Sequence, residues 1–305
     1  MVIKPSKSKL IVLVTHSLGE LDVVLPILLE KKNEKKLKIE IIFTVRKIYN
    51  DYLASDFYNY ICKEFNFRIS FFHFQNKFDN LKKRRLSKYL FKYLMFIKSL
   101  PNIFIIFFRV LRSDIIFHEF THANLSVKIV YFINHFIKKN IYTYCHGASL
   151  HPYSRGTKFN DSKKSKYLLF HKMNKENALS LGYKNFILIG LPQFYPNWKH
   201  AIDNYIQIHK NNFKATYVVL FTRGINEYYM NENQYRYLFL EAVKAIREVY
   251  LDILIIVKPH PREDTRLLKT LIKEEKIQNI KITSLHASPL VKMSEFSISL
   301  FTSCI

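Results

Sequence analysis

The sequence predicts an α/β protein built on two doubly wound, Rossmann-like parallel sheets. Three observations carry that reading. Short runs of β-branched and apolar residues alternate with longer amphipathic stretches between residues 9 and 301. The alternation breaks once, over residues 191–214 (LPQFYPNWKHAIDNYIQIHKNNFK), a stretch that holds the single tryptophan, and then restarts. Polar side chains collect directly after the apolar runs, which is where open α/β sheets bind their ligands.

The elements follow in order. In the first half, strands are expected over residues 9–14, 38–45, 67–74, 113–117 and 140–145. Helices are expected over about 20–32, 48–65 and 125–138, and a helix near 175–181 lies between short strands at 166–170 and 185–188. In the second half, strands are expected over 217–221, 252–257, 279–283 and 296–301, with helices over 232–250, 263–276 and 288–293. The strand runs are β-branched, aromatic and short. The helices carry apolar residues at helical spacing, as in Leu238, Ala242, Ala245 and Val249. Residues 1–192 form an N-terminal Rossmann-like domain on this reading, 193–213 a linker, and 214–305 a C-terminal Rossmann-like domain.

A chain of 305 residues, 49% hydrophobic and 15% aromatic, can bury a large core. Cys62, Cys145 and Cys304 are too scattered for a disulfide framework or a zinc pattern, which suits a reducing cytoplasm. The opening MVIKPSKSKLIVLVTHSLGELD has a short apolar run without a small-residue cleavage site, so no signal peptide is expected. The longest apolar run, near residues 103–110, falls far short of the ~20 residues that span a bilayer. The expected location is cytoplasmic, peripheral on the inner face of the membrane.

The net charge is +24, with 48 Lys and Arg against 24 Asp and Glu. Abundant Phe, Ile, Lys, Asn and Tyr reflect an AT-rich coding sequence, but that bias does not produce a twofold excess of cations. Such an excess attracts nucleic acid, anionic lipid or phosphorylated substrates. Zinc-finger spacing, an RNP-type aromatic motif and a basic heptad region are all missing from the sequence, so nucleic acid is not expected as a partner. Between Asp79 and Asp114 there is no acidic residue. On a helix there, Leu86, Tyr89, Leu90, Tyr93, Leu94 and Ile97 share one face, and Arg84, Arg85, Lys88 and Lys92 the other. That pattern fits a helix lying on an anionic membrane surface, and equally a surface helix packed on its own domain.

The candidate site residues stand at strand ends. They are His16, His118-Glu119 and His146-Gly147 in the first half. In the second half they are Arg223-Gly224, Lys258-Pro259-His260-Pro261-Arg262 and Thr302-Ser303. Cations, imidazoles and hydroxyls suit phosphate oxygens, glycine admits close backbone approach, and Pro259 and Pro261 would stiffen the turn that aims His260. Each has a plainer reading. His260 would then end a strand, His146-Gly147 make a turn, His16 cap a helix, Glu119 sit in a solvated loop, and Thr302 and Ser303 serve as N-caps.

The ordered motifs H-G (146–147), G-L-P (190–192), K-P-H-P (258–261) and S-x-F-T-S (299–303) resemble a group of two-domain GT-B transferases. The group includes the CDP-glycerol glycerophosphotransferases, the bacterial GT-B sialyltransferases and the capsule Kdo transferases. The likeness spans about residues 140–305; the N-terminal half is similar only at fold level. It implies a GT-B-like fold with two sheets facing across a cleft, residues 1–192 being the acceptor-side domain and 214–305 the nucleotide-donor domain. It also implies a CMP- or CDP-activated sugar or polyol donor, and a glycan or lipid-linked acceptor of bacterial surface polysaccharide. His260, Pro261, Thr302 and Ser303 match the group's phosphate-binding motifs, with Lys258, Arg262, Arg223 and Gly224 beside them. His146 matches the assigned base, with Glu119 and His16 as further candidates. No metal or other cofactor is needed by this scheme. The sialyltransferases' acidic-acidic-Gly motif and a Trp before His146 are missing from the sequence. The chain stops at Ile305, where the resembled domains continue into a helix, so an incomplete second domain is expected. Two other readings stand beside this one: a UDP-sugar 2-epimerase-like GT-B enzyme, and a non-catalytic basic protein that binds polyanions or membranes.

Overall fold

The structure, a computed structural model, describes residues 8–32, 37–72, 99–120, 124–145, 164–172, 174–180, 182–213, 215–225, 230–261 and 263–300. The chain divides into two compact units at Lys199/His200.

The first unit runs β1 (Lys9–Val14), α1 (Glu20–Lys32), β2 (Lys38–Phe43), α2 (Arg46–Leu53), α3 (Asp56–Glu64), β3 (Arg68–Phe71), α4 (99–111), β4 (Ile115–Glu119), α5 (Leu125–Phe136), β5 (Asn140–Tyr144), β6 (Lys166–Leu169), α6 (Asn174–Ser180) and β7 (Phe186–Leu188). Its seven strands are parallel in the order β3-β2-β1-β4-β5-β6-β7. The winding reverses between β1 and β4. Helix α7 (Pro196–Ile208) crosses the division between units. The second unit follows with β8 (Tyr217–Thr222), α8 (Glu232–Val249), β9 (Leu254–Pro259), α9 (Thr265–Glu274), β10 (Ile280–Ile282), α10 (Ala287–Met293) and β11 (Ser297–Ser299). Its four strands are parallel in the order β10-β9-β8-β11, reversing between β8 and β11.

Parallel strands covered by helices on both faces read as unbroken apolar runs, as in KLIVLV of β1 and YVVLFT of β8. Ile11, Leu13, Ile42, Ile116 and Ile141 of the first sheet meet Ile106 and Val110 of α4 and Val127 and Val130 of α5, so both helices cover one sheet face. In the second unit Val218, Leu220, Ile255 and Val257 pack under Phe239 and Val243 of α8 and Leu268 and Leu271 of α9. A buried carboxylate of β2 gathers cations in the first sheet. Glu40 is reached by Arg109 at 3.1 Å, Lys9 at 3.5 Å and Arg68 at 3.7 Å, and accepts from Ser70 Oγ at 2.7 Å.

Several expectations are corrected. The helix expected over 48–65 is two helices, because Ser55 caps a fresh start by accepting from the Tyr58 amide. The expected linker over 193–213 is mostly α7, bracketed by 3-10 turns at Pro192–Phe194 and Lys210–Phe213. Pro196 stands at its first position, where no amide is needed. Residues 99–111 form a helix that the sequence reading did not assign. His118 and Glu119 are the last residues of β4 rather than a loop after it. Arg84, Arg85, Lys88 and Lys92 lie outside the described residues.

Candidate functional site at the strand carboxyl ends

In the first unit, β1 and β4 end side by side where the winding reverses. Ligands of doubly wound folds bind at this position. The turn after β1, Thr15-His16-Ser17, points three backbone amides at one carboxylate. Glu20 Oε1 accepts from Thr15 N at 3.0 Å, His16 N at 2.5 Å and Ser17 N at 2.9 Å, and Tyr144 Oη donates to Oε2 at 3.4 Å. Amides at a helix N-terminus form an anion cradle, and here the protein's own glutamate fills it. Glu20 is fully buried. That burial, and then the charge of Glu119, push its carboxyl up to about 8, against the lowering effect of the amide bonds. Burial, followed by the charge of Glu20, raises the Tyr144 phenol. The hydroxyls of Thr15 and Ser17 are buried with no hydrogen-bond partner among the described residues.

Glu119 ends β4, fully enclosed, which excludes the plainer reading of a solvated loop residue. Its carbonyl fixes the tautomer of the preceding histidine. His118 Nδ1 lies 2.8 Å from Glu119 O, which can only accept, so Nδ1 carries the proton. Nε2 therefore accepts from Tyr131 Oη at 2.9 Å. Burial lowers the His118 imidazole to about 4, so it is neutral at pH 7. His16 is half-buried in the turn.

In the second unit, β8 ends at Thr222 and runs into Arg223-Gly224, β9 ends in Lys258-Pro259, and Thr222 pairs with Pro259. The His260 amide donates to Thr222 O at 2.9 Å and to Glu263 Oε2 at 3.2 Å. Glu263 organises the turn. It also accepts from Thr222 Oγ1 at 2.8 Å and from Tyr235 Oη at 2.7 Å. Burial, and then the bond to Glu263, raise the Tyr235 phenol. Gly224 has φ +73°, and a β-carbon there would lie 2.7 Å from Glu263 Cγ. Lys258 Nζ donates to Ser284 O at 3.4 Å. Pro261 and Arg223 are exposed.

The structure thus brings Arg223, Gly224, Lys258, His260 and Pro261 to neighbouring strand ends of one sheet. It brings His16 and Glu119 to the ends of two paired strands of the other. His146, Arg262, Thr302 and Ser303 lie outside the described residues. Sequence reasoning missed Glu20 and Glu263. Each closes a three-residue step, Ser17 to Glu20 and His260 to Glu263, with its carboxylate on the amide three residues back. That spacing is the returning half of a capping box, and it was legible as Ser-x-x-Glu at 17–20. Among the described residues no group of three or more His, Cys, Asp or Glu side chains could hold a metal ion.

No protein-family model matches the chain, and no curated protein matches it. Solved structures do match. The UDP-GlcNAc 2-epimerase from Methanocaldococcus jannaschii superposes with a TM-score of 0.60 at 15% identity, over 95% of this chain and 78% of that one. S. aureus MnaA, in a co-structure with UDP, gives 0.56 at 11% identity over 96% and 74%. A glycosyltransferase from Rickettsia africae ESF-5 gives 0.50 at 14% identity over 96% and 73%. At such identities the likeness is one of fold: the chain has an α/β fold of GT-B type, with a seven-stranded parallel sheet and a second parallel sheet.

Proposed function

We propose that the chain is a nucleotide-sugar enzyme, a transferase of bacterial surface polysaccharide synthesis that takes a pyrimidine-nucleotide-activated sugar or polyol. The observation that carries this reading is the turn at the end of β9. Glu263 holds Lys258-Pro259-His260 beside Gly224 at the carboxyl ends of β8 and β9, the side on which open α/β sheets bind ligands. Lys258, His260 and Arg223 supply donors for phosphate oxygens, with Arg262, Thr302 and Ser303 as the remaining members of the set. The motif order argues for a cytidine nucleotide. The fold neighbours solved with a nucleotide argue for uridine: S. aureus MnaA with UDP, and the M. jannaschii epimerase with UDP-GlcNAc and UDP.

In this scheme an acceptor hydroxyl attacks the activated carbon or phosphorus. The bond to the nucleotide phosphate breaks, and His260 with the neighbouring cations takes up the charge on the leaving phosphate. His146 receives the acceptor's proton, ahead of His16 and of Glu119, whose side chain is enclosed at the end of β4. The acceptor is a glycan or a lipid-linked glycan. Among the described residues no helix is long and apolar enough to cross a membrane.

A second reading, a UDP-sugar 2-epimerase, is favoured by one observation. Glu20, with its carboxyl pushed up to about 8, sits beside Glu119 at the reversal point of the first sheet, and epimerisation at carbon needs acidic groups that hold protons near neutrality. One experiment separates the readings. The chain is incubated in deuterated water with UDP-GlcNAc, a CMP-sugar and CDP-glycerol in turn. Nucleotide release that needs an added glycan acceptor supports transfer. Deuterium at the sugar's C2 supports epimerisation. Neither outcome with any donor contradicts both readings.

A further inference from the structure

Among the described residues of the first unit, α4 and α5 carry a cluster of exposed aromatic side chains. Both helices cover the same face of the sheet, and their outward faces are aromatic. Phe104 is 58% exposed, Phe108 51%, Phe132 60% and Phe136 71%, with Ile105 and Ile137 also exposed. The rings of Phe132 and Phe136 meet edge-on at 5.3 Å, and Phe107 and Phe108 at 5.8 Å. Lys139 ties the ends of the helices together. Its ammonium donates to Leu111 O and Ser113 O, both at 2.7 Å, and its amide to Asn134 Oδ1 at 2.7 Å. A cluster of this kind marks an interaction surface.

Charge identifies the occupant. Arg112, Lys128 and Lys138 are exposed on or beside the two helices. From residue 99 to residue 140 the only acidic residues are Asp114, whose carboxylate accepts from the Lys9 amide, and the buried Glu119. On α5, Lys128, Phe132, His135 and Phe136 follow the i, i+4, i+7, i+8 spacing of one helix face. A second copy is disfavoured, because it would bring two chains of +24 together through basic rims. Aromatic rings inside a cationic border match an anionic lipid surface, where rings enter the headgroup boundary and cations meet lipid phosphates.

We propose that the outward face of α4 and α5 docks on an anionic membrane, with Phe104, Phe108, Phe132 and Phe136 inserted and Arg112, Lys128 and Lys138 on headgroup phosphates. The proposal stands apart from the nucleotide reading, and it is tested without nucleotide. The full chain is sedimented with vesicles of mixed phosphatidylglycerol and phosphatidylcholine, and with vesicles of phosphatidylcholine alone. The wild type binds the anionic vesicles preferentially. Joint substitution Phe104→Ser, Phe108→Ser, Phe132→Ser and Phe136→Ser lowers that binding by about tenfold or more, as does Arg112→Glu with Lys128→Glu and Lys138→Glu. Because the single native tryptophan, Trp198, is buried, Phe136→Trp adds an emission that shifts to the blue on anionic vesicles and guards against a misfolded quadruple variant. Four outcomes overturn the proposal: absence of binding, equal binding to neutral vesicles, binding that survives loss of the four rings, or a concentration-dependent dimer that the four serines dissolve while vesicle binding is absent.

Discussion

Glu263 lies against Gly224 so closely that a β-carbon at 224 would stand 2.7 Å from its Cγ. The same carboxylate ties Thr222 of β8 to the His260 amide after β9 and to Tyr235 of α8. One glutamate thus sets the spacing of the two strand ends on which the proposed phosphate site stands.

Gly224→Ala meets both a positive φ and that contact. It is expected to lower unfolding free energy by about 1–3 kcal/mol, measured by urea denaturation. Glu263→Ala is expected to destabilise alone, because Thr222 and Tyr235 lose their acceptor. The double variant should cost less than the sum, since the contact with Glu263 is then gone and only the strained φ remains.

Glu20 gives stability a pH dependence of defined sign. Its folded-state value, about 8, lies above the ordinary 4.5, so the folded chain holds the proton more tightly. That contribution is complete below about 4.5 and lost as pH rises towards 8, at about 1.4 kcal/mol per pH unit at most. Glu20→Gln keeps an acceptor for the three amides and should flatten the decline in Tm between pH 5 and 8. His118 acts in the opposite direction: its value is lowered to about 4, so its contribution is lost as pH falls from 6.5 towards 4.

Glu40 holds α4 to the sheet through Arg109. Glu40→Gln is expected to cost about 1–3 kcal/mol in urea denaturation, because Arg109 and Lys9 lose a buried partner. Arg68→Ala should cost less than about 1 kcal/mol, since Arg68 is largely exposed.

Cys62 is buried in α3, and burial pushes its thiol up to about 12. The native protein should leave Cys62 unmodified by a thiol reagent at pH 8, and denaturant should release it. Mass spectrometry of the labelled peptides checks this.

The strands were legible because burial on both faces writes them as unbroken apolar runs, as β1, β8 and β9 show. Helix α4 was missed because its outward face is also apolar: Phe104 and Phe108 erase the stripe that marks an amphipathic helix. Helix α7 was missed because two prolines suggested a linker, although one of them opens the helix. At the site, the cations and histidines stood out by residue type. Glu20 and Glu263 did not, because a glutamate near a helix start is ordinary until the amides it faces are seen.

The central claim is a nucleotide-phosphate site at the ends of β8 and β9. The most direct measurement is calorimetric titration of the full chain with UDP, UMP, CDP and CMP, repeated with Lys258→Ala and His260→Ala. The account expects selective binding of one pyrimidine nucleotide, weakened about tenfold or more by either substitution while the thermal unfolding of the free protein is little changed. Binding that is equal for all four and unaffected by both substitutions, or no binding at all, would contradict it.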